Sequence, residues 1–316
     1  MSPWLEGWAI PRRVLLPSLL VSIVLLVPLA IAYLLAGVPA ALALGMGYVA
    51  LVKPALTQRS LHALGLAVPA ALAAGVAVAL RGQPFAAAGF VALCCLMVAP
   101  ANQLGDGLMA GLPSAAAVLV AVPGDFTPSW TAAGVLLGGA VVVLIATRIP
   151  RTTRPAGVEA VRAWRHAIVM AVAVGVVTYL VLALDVHHGY WVALTLTVVL
   201  RPFDDQTRRR AGQRVLGTFA GVVLAVLIAA VLPLWAIAVA LVACLVLMAA
   251  YSTIGDYTRQ VIFLTPTVVL LGSAGDPGLI AAERALATIT GAILAGLVAM
   301  GLIWLDSKNF GRKEVG

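Results

Sequence analysis

The sequence predicts an all-α polytopic membrane protein with about twelve transmembrane helices. We expect two parallel six-helix halves, each built as an inverted 3+3 repeat. Three observations lead to this prediction: an apolar composition, a succession of apolar blocks, and two internal repeats. The hydrophobic fraction is 63% and only 10% of the residues are charged, whereas a soluble domain of this length needs far more polar surface.

Apolar blocks fill nearly the whole chain and leave no room for a water-soluble catalytic domain, so we expect no enzyme. A helix needs roughly 20 apolar residues to cross a hydrocarbon core of about 30 Å. The three cysteines lie inside these blocks, so they are expected to be packing residues, and neither a metal nor a cofactor is expected. The blocks cover about 14–36, 39–53, 61–80, 84–101, 106–122, 128–147, 164–184, 189–200, 211–232, 234–252, 258–273 and 279–305.

The basic residues favour one orientation in the membrane. With a cytoplasmic amino terminus, every Lys and Arg except Arg81 and Arg284 falls on the inner side or just inside an inner helix end. This distribution predicts a multi-pass protein of the plasma membrane with both termini in the cytoplasm. The net charge of +8 then reflects topology, and we expect contact with the lipid bilayer rather than with nucleic acid.

A repeat with a period of 70 residues marks the second half of the chain. The segment Thr197-Val198-Val199-Leu200 recurs as Thr267-Val268-Val269-Leu270. A second set follows the same spacing: Arg214, Thr218 and Gly221 recur as Arg284, Thr288 and Gly291. If the repeated unit holds three helices, its two copies cross the bilayer in opposite directions, as in many secondary transporters.

A longer repeat, with a period of nearly 150 residues, relates the two halves. Lys53-Pro54 matches Arg201-Pro202, and Leu104-Gly105-Asp106 matches Ile254-Gly255-Asp256. The predicted organisation is therefore a degenerate first half over 1–147, a basic cytoplasmic linker over 148–163, and a second half over 164–316. Two fused halves supply an internal pseudo-dimer, so both a monomer and a homodimer are compatible with the sequence.

The second half carries a recognisable signature. It comprises Tyr190-Trp191, Arg201-Pro202, Thr207, Arg214, Gly217-Thr218 and Gly221, followed by Phe263-Leu264-Thr265-Pro266 and 284–291. This pattern resembles the FUSC superfamily of fusaric-acid-resistance-like proteins and aromatic acid exporters, which is similar to the plant aluminium-activated malate transporters. The resemblance implies an exporter or channel for organic anions, often aromatic carboxylates.

Arg201 is the first candidate for contact with a substrate. The apolar block before it spans only about 18–22 Å as a helix, and Pro202 disfavours helical geometry at Arg201. A guanidinium in a low-dielectric vestibule attracts a carboxylate and can hold it bidentately. Lys53 repeats the arrangement in the first half. The alternative for both residues is a snorkelling charge at the inner interface.

The pathway is predicted to lie between the block that ends near Arg201 and its repeat partner, which contains Pro266. Pro266 frees a backbone carbonyl and marks a kink. The predicted lining consists of Tyr190, Trp191, Thr195, Thr197, Thr265 and Thr267, although Tyr190 and Trp191 are also typical interface anchors. Arg284 starts a helix on the outer side and is expected to meet an anion, either Glu283, Asp276 or a substrate.

Other residues are assigned to helix packing or to proton coupling. Packing seams are predicted at Arg214, Thr218, Gly221, Thr288 and Gly291, because each set shares one helix face. Candidates for proton coupling are Asp185, His187 and His188 at the outer mouth and Asp256 at an inner helix end. The alternatives are a solvated loop for the first three and a helix cap for Asp256.

The sequence thus favours a transporter that exports small organic anions, aromatic or other carboxylates, with energy from the proton gradient. A passive organic-anion channel and a membrane scaffold without transport remain as alternatives.

Overall fold

The computed structural model describes residues 10–104, 111–148, 156–272 and 277–313, and within these ranges all regular structure is helical. The helices are α1 (Arg12–Thr57), α2 (Ser60–Ala79), α3 (Pro84–Leu96), α4 (Val98–Gln103), α5 (Leu112–Ala121), α6 (Pro128–Ala146), α7 (Ala160–Ala183), α8 (Tyr190–Val199), α9 (Asp204–Val231), α10 (Leu234–Ile254), α11 (Tyr257–Gly272) and α12 (Pro277–Lys313). The predicted all-α class is confirmed.

Eight helices in the described ranges are long and apolar enough to cross a membrane. α1 is counted once among these eight helices. Its 46 residues are about 69 Å long, more than twice the thickness of a hydrocarbon core. Non-helical backbone at Ala36 and Gly37 divides α1 into two arms. Three predicted blocks instead form shorter helices: α5 and α8 have 10 residues each and α11 has 16. The predicted count of twelve spans therefore stays a prediction.

The chain folds into two compact units. Unit A comprises Met1–Leu26 and Arg210–Ile289, and unit B comprises Val27–Arg209 and Thr290–Gly316. The predicted linker 148–163 falls partly on 149–155, which lie outside the described residues, so the predicted domain boundary stays a prediction.

In unit B, the second arm of α1 and α6 approach each other through glycines. Gly134 and Gly138 are four residues apart on α6 and therefore share one face. A Cβ atom added to Gly134 would lie 2.7 Å from the Cβ of Ala43, and one added to Gly138 would collide with the backbone carbonyl of Leu44. Small residues at this spacing let two membrane helices pack backbone against backbone.

Replacing Gly138 by leucine is expected to destabilise the protein by about 3 kcal/mol or more, because the new side chain meets a backbone carbonyl that cannot move aside. The midpoint of thermal unfolding in detergent measures the effect. Gly65→Leu is the matched control, since a Cβ atom at Gly65 in α2 meets nothing within 4 Å. Equal losses in both variants would contradict the close packing described here.

In unit A, α9 packs against α11 at Gly221, where the sequence predicts a packing seam. A Cβ atom added to Gly221 would lie 2.6 Å from the carbonyl oxygen of Ile262 and 2.6 Å from the Cβ of Thr265. Pro266 lacks the amide hydrogen that would otherwise bond this carbonyl, four residues earlier in the chain. α11 nevertheless runs as one helix through Pro266, and the freed carbonyl lies against the glycine.

Candidate functional site

The helix before Arg201 is short and ends where the sequence predicts. With 10 residues, α8 is about 15 Å long, half the thickness of a hydrocarbon core of about 30 Å. Leu200 is extended, with ψ of 129°, and Arg201 and Pro202 lie outside the helix. The predicted break at Arg201 is confirmed.

Thr207, at the start of α9, fixes the turn that follows. Its side chain is 1% exposed, and its hydroxyl oxygen accepts a hydrogen bond from the amide of Arg201 at 2.9 Å. The same hydroxyl lies 3.3 Å from the carbonyl oxygens of Arg201 and Phe203. A single buried threonine therefore contacts the backbone of the turn between α8 and α9, and it holds Arg201 at a defined place.

Arg201 lines a small recess in unit B, which we call the basic recess. Its polar lining residues are Arg165 and His166 of α7 together with Arg201 and Thr207, and its apolar lining residues are Val169, Leu200, Pro202, Val298 and Ala299. None of these nine residues is acidic. The free space is about 10 Å³, close to what one water molecule needs.

The basic recess can hold an oxyanion. Arginine offers a fork of N–H donors that matches carboxylate and phosphate geometry, and low-dielectric walls strengthen the attraction. The sequence singled out Arg201 but missed His166, and it treated Arg165 only as an inner-side charge. The sequence indicates Arg165 and His166 only weakly, because two basic residues just inside the start of an apolar helix resemble ordinary interface charges.

The hydroxyl groups of Thr195 and Thr197 do not line the basic recess, since both side chains are buried elsewhere in unit B. The Oγ1 atom of Thr197 lies 2.8 Å from that of Ser114 in α5, and it donates to the carbonyl of Leu194 at 2.8 Å. The two short helices are thus joined by a buried hydroxyl pair. Ser114 was missed by the sequence prediction.

Thr195 lies where another helix, α12, contacts α8. A Cβ atom added to Gly291 of α12 would lie 2.7 Å from the Cβ of Thr195, so α12 approaches α8 closely at this glycine. The Oγ1 atom of Thr195 is buried and has no hydrogen-bond partner among the described residues. Gly291 therefore lies at a helix contact, the role that the sequence predicts for it.

The ring side chains at the start of α8 form a continuous series. Ring centroids are 4.1 Å apart between His187 and His188, 6.0 Å between His188 and Tyr190, and 4.9 Å between Tyr190 and Trp191. The series leads from exposed His187 to Tyr190, which is 9% exposed. Exposed Asp185 precedes it, and both Asp185 and His188 adopt positive φ, at 49° and 52°.

Arg81, an exception to the charge pattern, binds the carboxyl end of the short helix α5. Its Nε, Nη2 and Nη1 atoms donate to the carbonyls of Leu119, Val122 and Gly124 at 2.8, 2.8 and 2.9 Å. Its guanidinium also lies 4.2 Å from the ring centroid of Phe126. Partial burial lowers the pKa of Arg81 from its ordinary value. A cation at a helix carboxyl end is stabilised by the helix dipole, which explains a basic residue at this place.

Unit A holds the repeated Arg-Thr pairs. Arg214 and Arg284 are 3% and 2% exposed, and Thr218 and Thr288 are also buried. The Nε atom of Arg214 has no hydrogen-bond partner in the described part of the chain. Ionisable side chains buried within membrane proteins are costly and usually functional. Arg284 therefore stays a candidate for anion contact, and the packing role predicted for Arg214 stays a prediction.

In unit A, the other predicted site residues form hydrogen bonds with nearby backbone groups. Thr265 and Thr267 each donate to the carbonyl four residues earlier, both at 3.0 Å. Asp256 accepts from the amide of Arg259 at 3.0 Å and pairs with its guanidinium at 3.2 Å, which is the capping role left open for it. The side chain of Lys53 and the residue Asp276 lie outside the described residues, and the predicted cavity between α8 and α11 stays a prediction.

Comparisons with known proteins agree with this description. Residues 171–298 match the family model described as fusaric acid resistance protein-like. Inner membrane protein YccS of Escherichia coli (strain K12) is 30% identical over 145 residues, which make up 45% of this chain and only 20% of that relative. No solved structure matches the chain. The predicted resemblance is confirmed: the second half of this multi-pass membrane protein is similar to the fusaric acid resistance protein-like family.

Proposed function

We propose that the protein moves small organic anions, aromatic or other carboxylates, across the membrane. The observation that carries this proposal is the basic recess, where two arginines and a histidine meet at the end of a half-length helix and none of the described lining residues is acidic. The family match and the candidate spans support a role in transport or efflux. The location proposed is the plasma membrane, because the relative from Escherichia coli is named as an inner membrane protein.

The architecture proposed is the inverted repeat. Ser114 is the third residue of α5, and Thr197 is the third from the end of α8. Their hydrogen bond therefore joins the start of one short helix to the end of the other, which suits helices that run in opposite directions. Two half-length helices with opposed directions are typical of transport sites near the middle of the bilayer.

The direction proposed is export, with both termini in the cytoplasm and coupling to protons. Basic residues on the inner side support this orientation. The basic recess then faces the cytoplasm, where it would collect carboxylates before they move toward α5 and α8. An exporter driven by the proton gradient exchanges an outgoing anion for an incoming proton. His187 and His188, just before α8, stay the proposed residues for proton coupling.

Proteoliposomes test transport and its energy source together. Labelled phthalate and malate are suitable probes, since dianions cross lipid very slowly without a protein. With an acidic lumen, proton–anion exchange is expected to concentrate the probe inside above its external concentration. A passive channel would only equilibrate the probe. A flux equal to that of protein-free liposomes for both probes would contradict the proposal and favour the scaffold.

A further inference from the structure

The basic recess borders an apolar stripe on the exposed face of α7. Arg165, Val169, Val172, Val176 and Leu180 follow each other by three or four residues, so they lie on one helix face. Arg165 and Val169 line the basic recess. Beyond them, Val172, Val176 and Leu180 are 61%, 52% and 46% exposed, as expected for side chains that face lipid. We call these three residues the α7 stripe.

The length of α7 indicates that its start, close to Arg165, lies near the lipid headgroups. α7 has 24 residues and is about 36 Å long, which exceeds a hydrocarbon core of about 30 Å, so its first turns reach the interface. Trp164 is 46% exposed next to Arg165, and tryptophan is typical of that interface. From Arg165 to Val176 the helix rises about 16 Å, close to one leaflet of the core.

The size of the basic recess restricts what it can hold. Its free space of about 10 Å³ admits an oxygen atom or two of a ligand, and the rest of the ligand must lie outside. A ligand with an oxyanion at one end and a long apolar chain at the other fits this arrangement, because the chain can lie along the α7 stripe. Basic pockets between membrane helices are known to bind anionic headgroups.

We propose that the basic recess binds the phosphate of an anionic phospholipid, with one acyl chain along the α7 stripe. Arg165 and Arg201 contact the phosphate oxygens, and Val172 and Val176 contact the chain. The site differs from the exposed arginines Arg208 and Arg209 nearby, which attract any anionic surface without selecting a lipid. Given the proposed function, the lipid and a substrate carboxylate exclude each other, so lipid occupancy regulates transport.

Quenching of Trp164 fluorescence by brominated lipids tests the proposal in nanodiscs. Phosphatidylglycerol and phosphatidylcholine, brominated at the same acyl position, are compared at equal mole fraction. The chain has seven tryptophans, so the signal of Trp164 is obtained by difference from the Trp164→Phe variant. We expect brominated phosphatidylglycerol to quench this signal several-fold more strongly than brominated phosphatidylcholine.

Paired variants distinguish a built site from general attraction. Arg165→Gln with Arg201→Gln is expected to abolish the lipid preference at Trp164, whereas Arg208→Gln with Arg209→Gln removes the same charge from exposed positions and is expected to retain most of it. Equal quenching by the two lipids in the wild-type protein overturns the proposal, and this comparison does not depend on any variant folding. The proposal is also overturned if the variant with Arg208→Gln and Arg209→Gln loses the lipid preference while the variant with Arg165→Gln and Arg201→Gln keeps it.

Two further measurements complete the test. One distinguishes a lipid phosphate from free inorganic phosphate, and the other distinguishes failure of the lipid site from failure of the proposed function. Inorganic phosphate added to phosphatidylcholine nanodiscs is expected to leave the protein's melting temperature unchanged; a rise that needs Arg165 and Arg201, without lipid preference, would assign the basic recess to free anions. Phthalate flux is measured on the same preparations. A wild-type protein that transports phthalate but shows no lipid preference refutes the lipid site and leaves the proposed function intact.

Discussion

Replacing Arg201 by glutamine is expected to lower phthalate flux in proteoliposomes by tenfold to a hundredfold. A hydrogen bond to a charged group contributes about 1.5–3 kcal/mol, and each 1.4 kcal/mol is about a factor of ten in binding. Glutamine keeps the length and polarity of the side chain but loses the charge and the bidentate fork. Arg201→Lys restores the charge as a single point and is expected to recover only part of the flux.

The matched control for this variant is Arg209→Gln. Arg209 is an exposed arginine in the same unit, eight residues along the chain, and it does not line the basic recess. Its loss removes the same unit of charge and is expected to leave flux within about twofold of the wild-type protein, because exposed charges are screened. Equal losses in the two variants would show that overall charge, and not the basic recess, limits transport.

Replacing Arg81 by glutamine is expected to destabilise the protein by about 3 kcal/mol, since three charge-assisted bonds to the end of α5 are lost together. Leu119 is fully buried, so its carbonyl is costly to leave without a donor. The midpoint of thermal unfolding in detergent measures the loss. Arg81→Lys is expected to recover only a part, because one ammonium cannot reach all three carbonyls with the geometry of the fork.

The control for Arg81 is Arg148→Gln, which removes an exposed arginine of the same unit. We expect its midpoint to stay close to that of the wild-type protein. If Arg81→Gln unfolds at the wild-type temperature, the carbonyl bonds at the end of α5 contribute nothing to stability.

The sequence predicted where the helices lie because apolar blocks and their proline and glycine boundaries are local properties. The end of α8 just before Arg201 is an example, because Pro202 disfavours helical geometry at the residue that precedes it. The number of membrane crossings could not be predicted in the same way. A short apolar block can be a membrane span or a buried half-helix, and only packing distinguishes the two. α5 shows the difference, since protein covers it on every side.

The candidate site was predicted only in part for a related reason. Arg201 stands beside a proline in a repeated motif, which local inspection can detect. His166, Ser114 and Thr207 gain their roles from residues far away in the chain or across a turn. Arg81 appeared as an exception to the charge rule, and the structure supplies its reason through α5, about forty residues further on. Partners of this kind follow from tertiary contacts alone.

The proposed transport requires that an organic anion binds in the basic recess. The most direct test is an experimental structure of the protein with 4-bromobenzoate, prepared in a neutral lipid or detergent, with the bromine located by its anomalous scattering. We predict a bromine peak at the mouth of the basic recess, with the carboxylate on the guanidinium of Arg201 and no peak in Arg201→Gln. A peak that persists in that variant, or that lies only elsewhere in the protein, would contradict the claim.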